Sequence, residues 1–303
     1  MPSSRPVALV IGASRGIGRQ VAIDLARNGY AVVVSAKSTS DPQACNPFPP
    51  DPNSSASTIN TVAREITEDQ GGSGESLALK CDVRFYEECQ KLITESWSWK
   101  RRLDVVVYNS GAIWWSSIEN TPMKRFRLMQ SINPEGLYGI VQEVLQKWKT
   151  ESQTEGRIVV ISPPIYSRFV KGKTAYAMGK YGMSVLTMGL AVDFEREGKS
   201  GMAITTTQNN RGDEARSALR KPEIFSDAIL AIIRAPTKDV NGKLLLDEDF
   251  LREHEGVTDF SKYALVPGAT PRRIMPAKLP DLTVAEQDDE GVRVDSAKRA
   301  NKL

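Results

Sequence analysis

Apolar and polar positions along this chain fall into blocks that switch between two periods. Val7–Ile11 is a short apolar run ending at a glycine, and Arg15–Asn28 beyond it carries apolar residues three and four apart. This pattern predicts strand, turn, helix. Ala31–Ser35 repeats the buried-strand pattern, and Thr58–Asp69 repeats the helical one until Gly71–Gly74 ends it. Leu77–Cys81, Val105–Tyr108 and Arg157–Ile161 are predicted as the next three strands, with helices over Phe85–Lys100, Met123–Lys149 and Thr174–Glu197. Ala203–Thr207, a helix over Glu223–Arg234 and a closing strand Lys243–Asp247 complete the series. Strands alternating with helices at this spacing predict an α/β protein with a Rossmann-type, doubly wound parallel sheet in a single domain.

Two stretches break the pattern. Residues 38–57 are rich in Pro, Ser and Asn and are expected to form a surface insertion. From 269 to 303 Pro, Asp, Glu and Lys mix without periodicity, so a mobile tail is expected after a domain spanning 1–268. The longest apolar runs, such as Ala228–Ile233, fall far short of the ~18 residues that a membrane span needs. The first five residues lead straight into the first strand, and no signal peptide is expected.

Composition narrows the chemistry. A formal net charge of +3 over 303 residues gives no reason to expect a nucleic-acid or membrane partner. Cys45, Cys81 and Cys89 lack metal-ligand spacing and read as reduced thiols of an intracellular compartment. His254 is the only histidine. A His-based zinc cluster is thereby excluded, and a Ser-His-Asp triad is open only through His254, which sits in a charged stretch and reads as a surface residue. No metal site is expected.

The turn Gly12-Ala13-Ser14-Arg15-Gly16-Ile17-Gly18 follows the first strand directly. Gly12 permits a tight turn, Gly16 lets the backbone approach a pyrophosphate, and Gly18 lets helix and strand pack closely. The helix N-terminus adds free N–H groups and a favourable dipole for phosphates.

The GxxxGxG spacing resembles that of the short-chain dehydrogenase/reductase family, and further landmarks follow in order. Asp82, with Val83 beside it, stands where the family places its adenine-contacting acid. Tyr108-Asn109-Ser110-Gly111 occupies the NNAG motif, Asn133 matches the helix asparagine, and Tyr176-Ala177-Met178-Gly179-Lys180 matches YxxxK. Ile161-Ser162-Pro163-Pro164, Lys180-Tyr181-Gly182-Met183-Ser184 and residues 241–268 are similar to the peroxisomal hydroxysteroid dehydrogenase-like subgroup. Members of that subgroup often carry a C-terminal sterol-carrier domain, which is not expected within these 303 residues.

The resemblance implies a nicotinamide dinucleotide held by Gly12, Ser14, Arg15, Gly16, Ile17, Gly18, Lys37, Asp82, Val83, Asn109, Ser110 and Gly111, with Tyr176 and Lys180 at its reactive end. Sites that prefer NAD place an acid after the second strand to bind the ribose hydroxyls. Here that position is Ala36, and Lys37 follows. Arg15 and Lys37 can pair with a 2′-phosphate or can be solvated surface cations; NADP(H) is the expectation.

Tyr176 and Lys180 lie four apart on a predicted helix and share a face. A nearby ammonium is expected to lower the tyrosine pKa toward the range useful for proton transfer. By resemblance Lys180 also holds the nicotinamide ribose and Asn133 supports a water relay. The family's carbonyl-polarising serine should lie about a dozen residues before the tyrosine, which lands on Pro163; Ser162 is one residue earlier and Ser167 lies deeper in the loop. Ser162 is taken as the catalytic serine, although a one-residue shift at a strand end can reverse its facing. After the sixth strand the family's Pro-Gly is replaced by Thr205–Gly212 (TTTQNNRG). Trp114 and Trp115, with the loop Ile165–Lys173, are candidates for an apolar pocket wall, and the tryptophans equally for a core or interface.

Two functions remain open. One is an NADP(H)-dependent oxidoreductase interconverting a ketone and a secondary alcohol on an apolar small molecule. The other is a cofactor-binding protein with a degenerate site, regulatory or redox-neutral. The C-terminal Asn301-Lys302-Leu303, with Lys298 and Arg299 upstream, resembles a peroxisomal targeting tripeptide, leaving peroxisome and cytoplasm as alternatives. By family analogy a homodimer or homotetramer is expected.

Overall fold

The computed structural model describes residues 5–69, 74–208, 217, 219–273 and 275–284. Among these, the strands are β1 Val7–Ile11, β2 Ala31–Ala36, β3 Ser76–Lys80, β4 Val105–Tyr108, β5 Gly156–Ile161, β6 Met202–Gln208 and β7 Leu244–Leu246. They pair in parallel in the order β3-β2-β1-β4-β5-β6-β7. The helices are α1 Gly16–Arg27, α2 Ile59–Asp69, α3 Tyr86–Lys100, α4 Met123–Gln130, α5 Gly136–Thr150, α6 Thr174–Arg196, α7 Glu223–Arg234, the short α8 Thr237–Val240 and α9 Asp247–His254. This is the single-domain, Rossmann-type doubly wound sheet that the periodicity predicts.

Strands buried on both faces favour apolar residues at successive positions, which is why β1, β4 and Ala31–Val34 of β2 read as continuous runs. Their side chains alternate between two cores. Ala8, Val10, Val32 and Val34 pack with α1, α2 and α7 residues such as Leu25, Ile66 and Ile229. Val7, Leu9, Ile11 and Val106 face the other way, onto Leu92, Leu137, Ile140 and Met183 of α3, α5 and α6. No described helix is long and apolar enough to cross a membrane.

Three differences from the sequence pattern matter for the site. The long helix expected over Met123–Lys149 is divided: a π-helical turn, Ser131–Glu135, separates α4 from α5 and contains Pro134. Proline has no N–H to give the helical ladder, so a local change of hydrogen-bond register is the physical outcome. The charged stretch around His254 forms α9, where the exposed imidazole stacks on Phe250 with centroids 4.1 Å apart. The stretch from 269 is tied to the body where it is described, because Arg273 pairs with Asp249 and the Pro271 carbonyl accepts from Arg220 at 3.2 Å. Residues 209–212, 298–299 and 301–303, on which the replacement for Pro-Gly and the targeting tripeptide fall, lie outside the described residues.

Candidate active site

The sheet order reverses between β1 and β4, and in such sheets a crevice opens beyond the C-terminal strand ends at that point. A cavity of about 440 Å³ lies there, lined by Gly12, Ser14, Arg15, Lys37, Asp82, Val83, Asn109, Ser110 and Gly111 among others. The sequence did not point to Ser38, Cys81 and Ile132, which also line it. These come from a loop, a strand end and the π-turn, and none carries a motif.

The glycine turn is built by close backbone contacts. Gly12 has φ +83, and a Cβ there would lie 2.8 Å from the Ser110 amide nitrogen. Gly16 has φ +55 at the start of α1, and a Cβ on Gly18 would stand 2.7 Å from Asn109 Nδ2. Asn109 Nδ2 in turn donates to the Gly12 carbonyl at 3.1 Å, locking the turn to the end of β4. Arg15 precedes α1 without a side-chain cap to its first amides. The close backbone and the helix start without a side-chain cap fit a pyrophosphate.

The insertion reaches this turn. The Gly16 amide donates to the Pro52 carbonyl at 2.9 Å, and buried Ser57 donates its hydroxyl to the Ser14 carbonyl at 2.7 Å. Nothing in the sequence signals these contacts, because they join a non-periodic loop to a turn some 40 residues away. At the other rim, Asp82 is held by Arg84, whose guanidinium keeps its carboxyl below the usual range. Arg15 and Lys37 are both exposed beside Ala36.

Asn133 is fully buried in the π-turn. Its Oδ1 accepts from the Ala112 amide at 2.9 Å and its Nδ2 donates to the Ala112 carbonyl at 3.1 Å. A Cβ on Gly111 would lie 3.4 Å from Asn133 Oδ1 and 3.6 Å from Lys180 Nζ, so three expected site residues converge on one point. Lys180 is buried and donates to the Ile161 carbonyl at 2.7 Å; burial lowers its pKa to about 8.

Tyr176 stands one turn before Lys180 on α6, edge-on to Trp115 with centroids 6.3 Å apart and 6.1 Å from Phe169. Trp115 is thus part of the wall around Tyr176. Trp114 instead carries the Arg125 guanidinium 4.6 Å above its ring. Burial pushes the Tyr176 pKa up to about 12, so the expected lowering by Lys180 is not what this structure gives. Burial is the cause of the rise, and the Lys180 ammonium donates to the Ile161 carbonyl.

Ser162 is not brought to this constellation. It is 1% exposed, and its hydroxyl donates to the Lys180 carbonyl at 2.8 Å and lies 3.0 Å from Ser184 Oγ. The hydroxyl expected to polarise a substrate carbonyl is turned into the core here, as a shift of one residue at a strand end can do. Pro163 follows it, and its carbonyl accepts from Ser184 at 2.7 Å. Ser167 is exposed, at the start of a short 3-10 turn. Among the described residues no group of three or more His, Cys, Asp or Glu could hold a metal ion.

The parallel sheet, the glycine turn at its switch point and the Tyr–Lys–Asn group define a dinucleotide-fold protein of the dehydrogenase type. A sequence model described as short chain dehydrogenase matches residues 6–47 and 53–209, and the chain belongs to that family of oxidoreductases. It is 32% identical over 268 residues to hydroxysteroid dehydrogenase-like protein 2 of Danio rerio, and 31% identical over 268 residues to the protein of that name from Homo sapiens. Each alignment covers 86% of this chain and 60% of the relative, so the chain spans less than two thirds of the length of these relatives. A crystal structure of a short chain dehydrogenase from Mycobacterium thermoresistibile is 32% identical, with a TM-score of 0.73 over 88% of this chain and 93% of that one.

Proposed function

We propose that this chain is an NADP(H)-dependent oxidoreductase that interconverts a ketone and a secondary alcohol on an apolar small molecule. The observation that carries this reading is the convergence of Lys180 and Asn133 on Gly111, beside the cavity that the glycine turn opens. The dinucleotide, when bound, supplies or accepts the hydride. Lys180 and the 109–111 segment orient its reactive end, and Tyr176 moves the proton at the substrate oxygen. Burial keeps the phenol protonated at neutral pH, so it carries the proton that a reduced carbonyl takes up, and the raised pKa makes it a weaker acid than a solvated tyrosine. Trp115 and Phe169 give the substrate an apolar wall. The choice of NADP(H) rests on Ala36 where an acid would bind ribose hydroxyls, and on exposed Arg15 and Lys37, which line the same cavity and can pair with a 2′-phosphate.

The inward Ser162 favours a second reading, in which the chain binds the cofactor without redox turnover. NADPH oxidation with acetophenone, cyclohexanone and 2-decanone, compared between wild type and Tyr176→Phe, separates the two. Turnover lost in the variant is the expected result. Tight NADPH binding without reduction of any ketone supports the second reading, and indifference to NADPH overturns both.

We also propose that residues 1–268 act as one cofactor-binding domain, with 269–303 appended, in the peroxisome or the cytoplasm. Deleting residues 301–303 tests the address, since unchanged localisation rejects a terminal signal. A homodimer or homotetramer is supported by exposed Met178, Val185 and Val192, spaced by seven on α6, and by exposed Tyr138 on α5. Sedimentation tests it, and a monomer overturns it. No nucleic-acid partner is proposed.

A further inference from the structure

Tyr108 closes β4 and is completely buried, yet its hydroxyl donates to the Ile132 carbonyl at 2.5 Å. Ile132 immediately precedes Asn133 in the π-turn. Asn133 exchanges its two hydrogen bonds with Ala112. The five-residue segment 108–112 is therefore tied at its two ends to two consecutive residues of one turn. Between the ties lie Asn109, Ser110 and Gly111, which line the cofactor cavity.

The surroundings are shaped around this hydroxyl. A Cβ on Gly136 would lie 2.6 Å from the Tyr108 oxygen and 2.9 Å from Val83 Cγ2, so the helix that follows the π-turn approaches closely only because residue 136 is glycine. Burial raises the Tyr108 pKa well above its ordinary value and keeps the group a neutral donor. An asparagine, which the family motif has here, is too short to span from β4 to the π-turn in the same way.

We infer that Tyr108 is a positioning residue: its hydroxyl holds the π-turn at the spacing that brings Asn133 and Gly111 together beside Lys180. Tyr108 itself is fully buried and does not line the cavity. The kinetic consequence rests on the oxidoreductase reading above; the structural one does not.

The test is Tyr108→Phe, with a second variant carrying 4-aminophenylalanine at 108, which keeps a donor. Hydrogen exchange at the Ala112 amide should become about tenfold faster in Tyr108→Phe, while the amides of β1 and α7 stay unchanged. The amino variant should restore protection to within about threefold. On whichever of acetophenone, cyclohexanone and 2-decanone the wild type reduces fastest, kcat should fall about tenfold with KM nearly constant. Combining Tyr108→Phe with Asn133→Ala should add no further loss to that of Asn133→Ala alone. Unchanged exchange at Ala112, faster exchange throughout the domain, or kinetic losses that multiply would each overturn the inference. If the wild type reduces none of the ketones, the redox reading fails, and the exchange comparison still decides the role of Tyr108. Should Tyr108→Phe not fold, the amino variant decides: lost protection at Ala112 despite a retained donor overturns the inference, and retained protection supports it.

Discussion

Ser162 donates its hydroxyl to the main-chain carbonyl of Lys180 across 2.8 Å, joining the end of β5 to the middle of α6 inside the core. The serine thus supports the helix that carries Tyr176 and Lys180, with its hydroxyl turned into the core. Ser162→Ala removes the hydroxyl that donates to the Lys180 carbonyl while Ser184 keeps the Pro163 carbonyl, at a cost of about 0.5–1.5 kcal/mol. Denaturant titration should show that loss, while ketone turnover changes by less than about threefold. A collapse in turnover at unchanged stability would place Ser162 in the substrate pocket after all.

Pro163 follows Ser162 where the family's spacing puts a hydroxyl. A single donor to a developing oxyanion is worth roughly 100-fold or more in turnover. Pro163→Ser is therefore expected to raise kcat/KM for ketone reduction at least tenfold, measured by NADPH oxidation. No gain in a folded variant would mean that another group already polarises the carbonyl.

Arg15 and Lys37 are exposed on the rim beside Ala36. A charge-assisted hydrogen bond to phosphate contributes about 1.5–3 kcal/mol, or roughly tenfold or more in Kd. Arg15→Ala and Lys37→Ala should each weaken NADPH by that factor and leave NADH almost untouched, and Ala36→Asp should reverse the preference. Fluorescence titration reads all three. Equal effects on the two dinucleotides would make both side chains ordinary surface cations.

Lys180 has a folded pKa of about 8 against 10.5 for the free group. Between these values the unfolded chain holds the proton that the native protein has released. The contribution of this group to stability therefore rises with pH from about 8 to 10.5, by at most about 3 kcal/mol. Thermal unfolding of wild type and Lys180→Met across that window should diverge in this sense. Parallel curves would show that the ammonium is not buried as described.

Asp247, at the start of α9, is displaced the opposite way. Burial raises its carboxyl to about 7 from 3.8, and its Oδ2 has no hydrogen-bond partner among the described residues. The native protein binds the extra proton between about pH 4 and 7, so the contribution of Asp247 to stability falls as pH rises through that range. Asp247→Asn should remove this slope and stabilise the protein at neutral pH. Calorimetric scans at pH 5 and 7.5 check it, and an unchanged slope would reject it.

The fold was almost fully legible along the chain, because strands buried on both faces and helices buried on one leave distinct apolar periods. Val105–Tyr108 and Glu223–Arg234 come out with the bounds their pattern predicts. The periodicity over Met123–Lys149 is helical on either side of Pro134, and only the backbone shows that the register changes at Ser131–Glu135. Asp82, Asn109 and the Tyr176–Lys180 pair could be located because each is fixed by its distance from a strand end or a helix turn.

What the sequence by itself determined was this scaffold and the positions that local geometry dictates: glycines where the turn needs positive φ, and a tyrosine and lysine one helical turn apart. What only the tertiary structure decided was where side chains at chain reversals point and what distant segments touch. Ser162 faces inward, Lys180 turns to the Ile161 carbonyl, the insertion lays Pro52 on Gly16, and Tyr108 reaches Ile132. These are contacts between residues far apart in the chain, or orientations set by a single dihedral at a strand end. Neither leaves a period in the sequence, so packing alone fixes them.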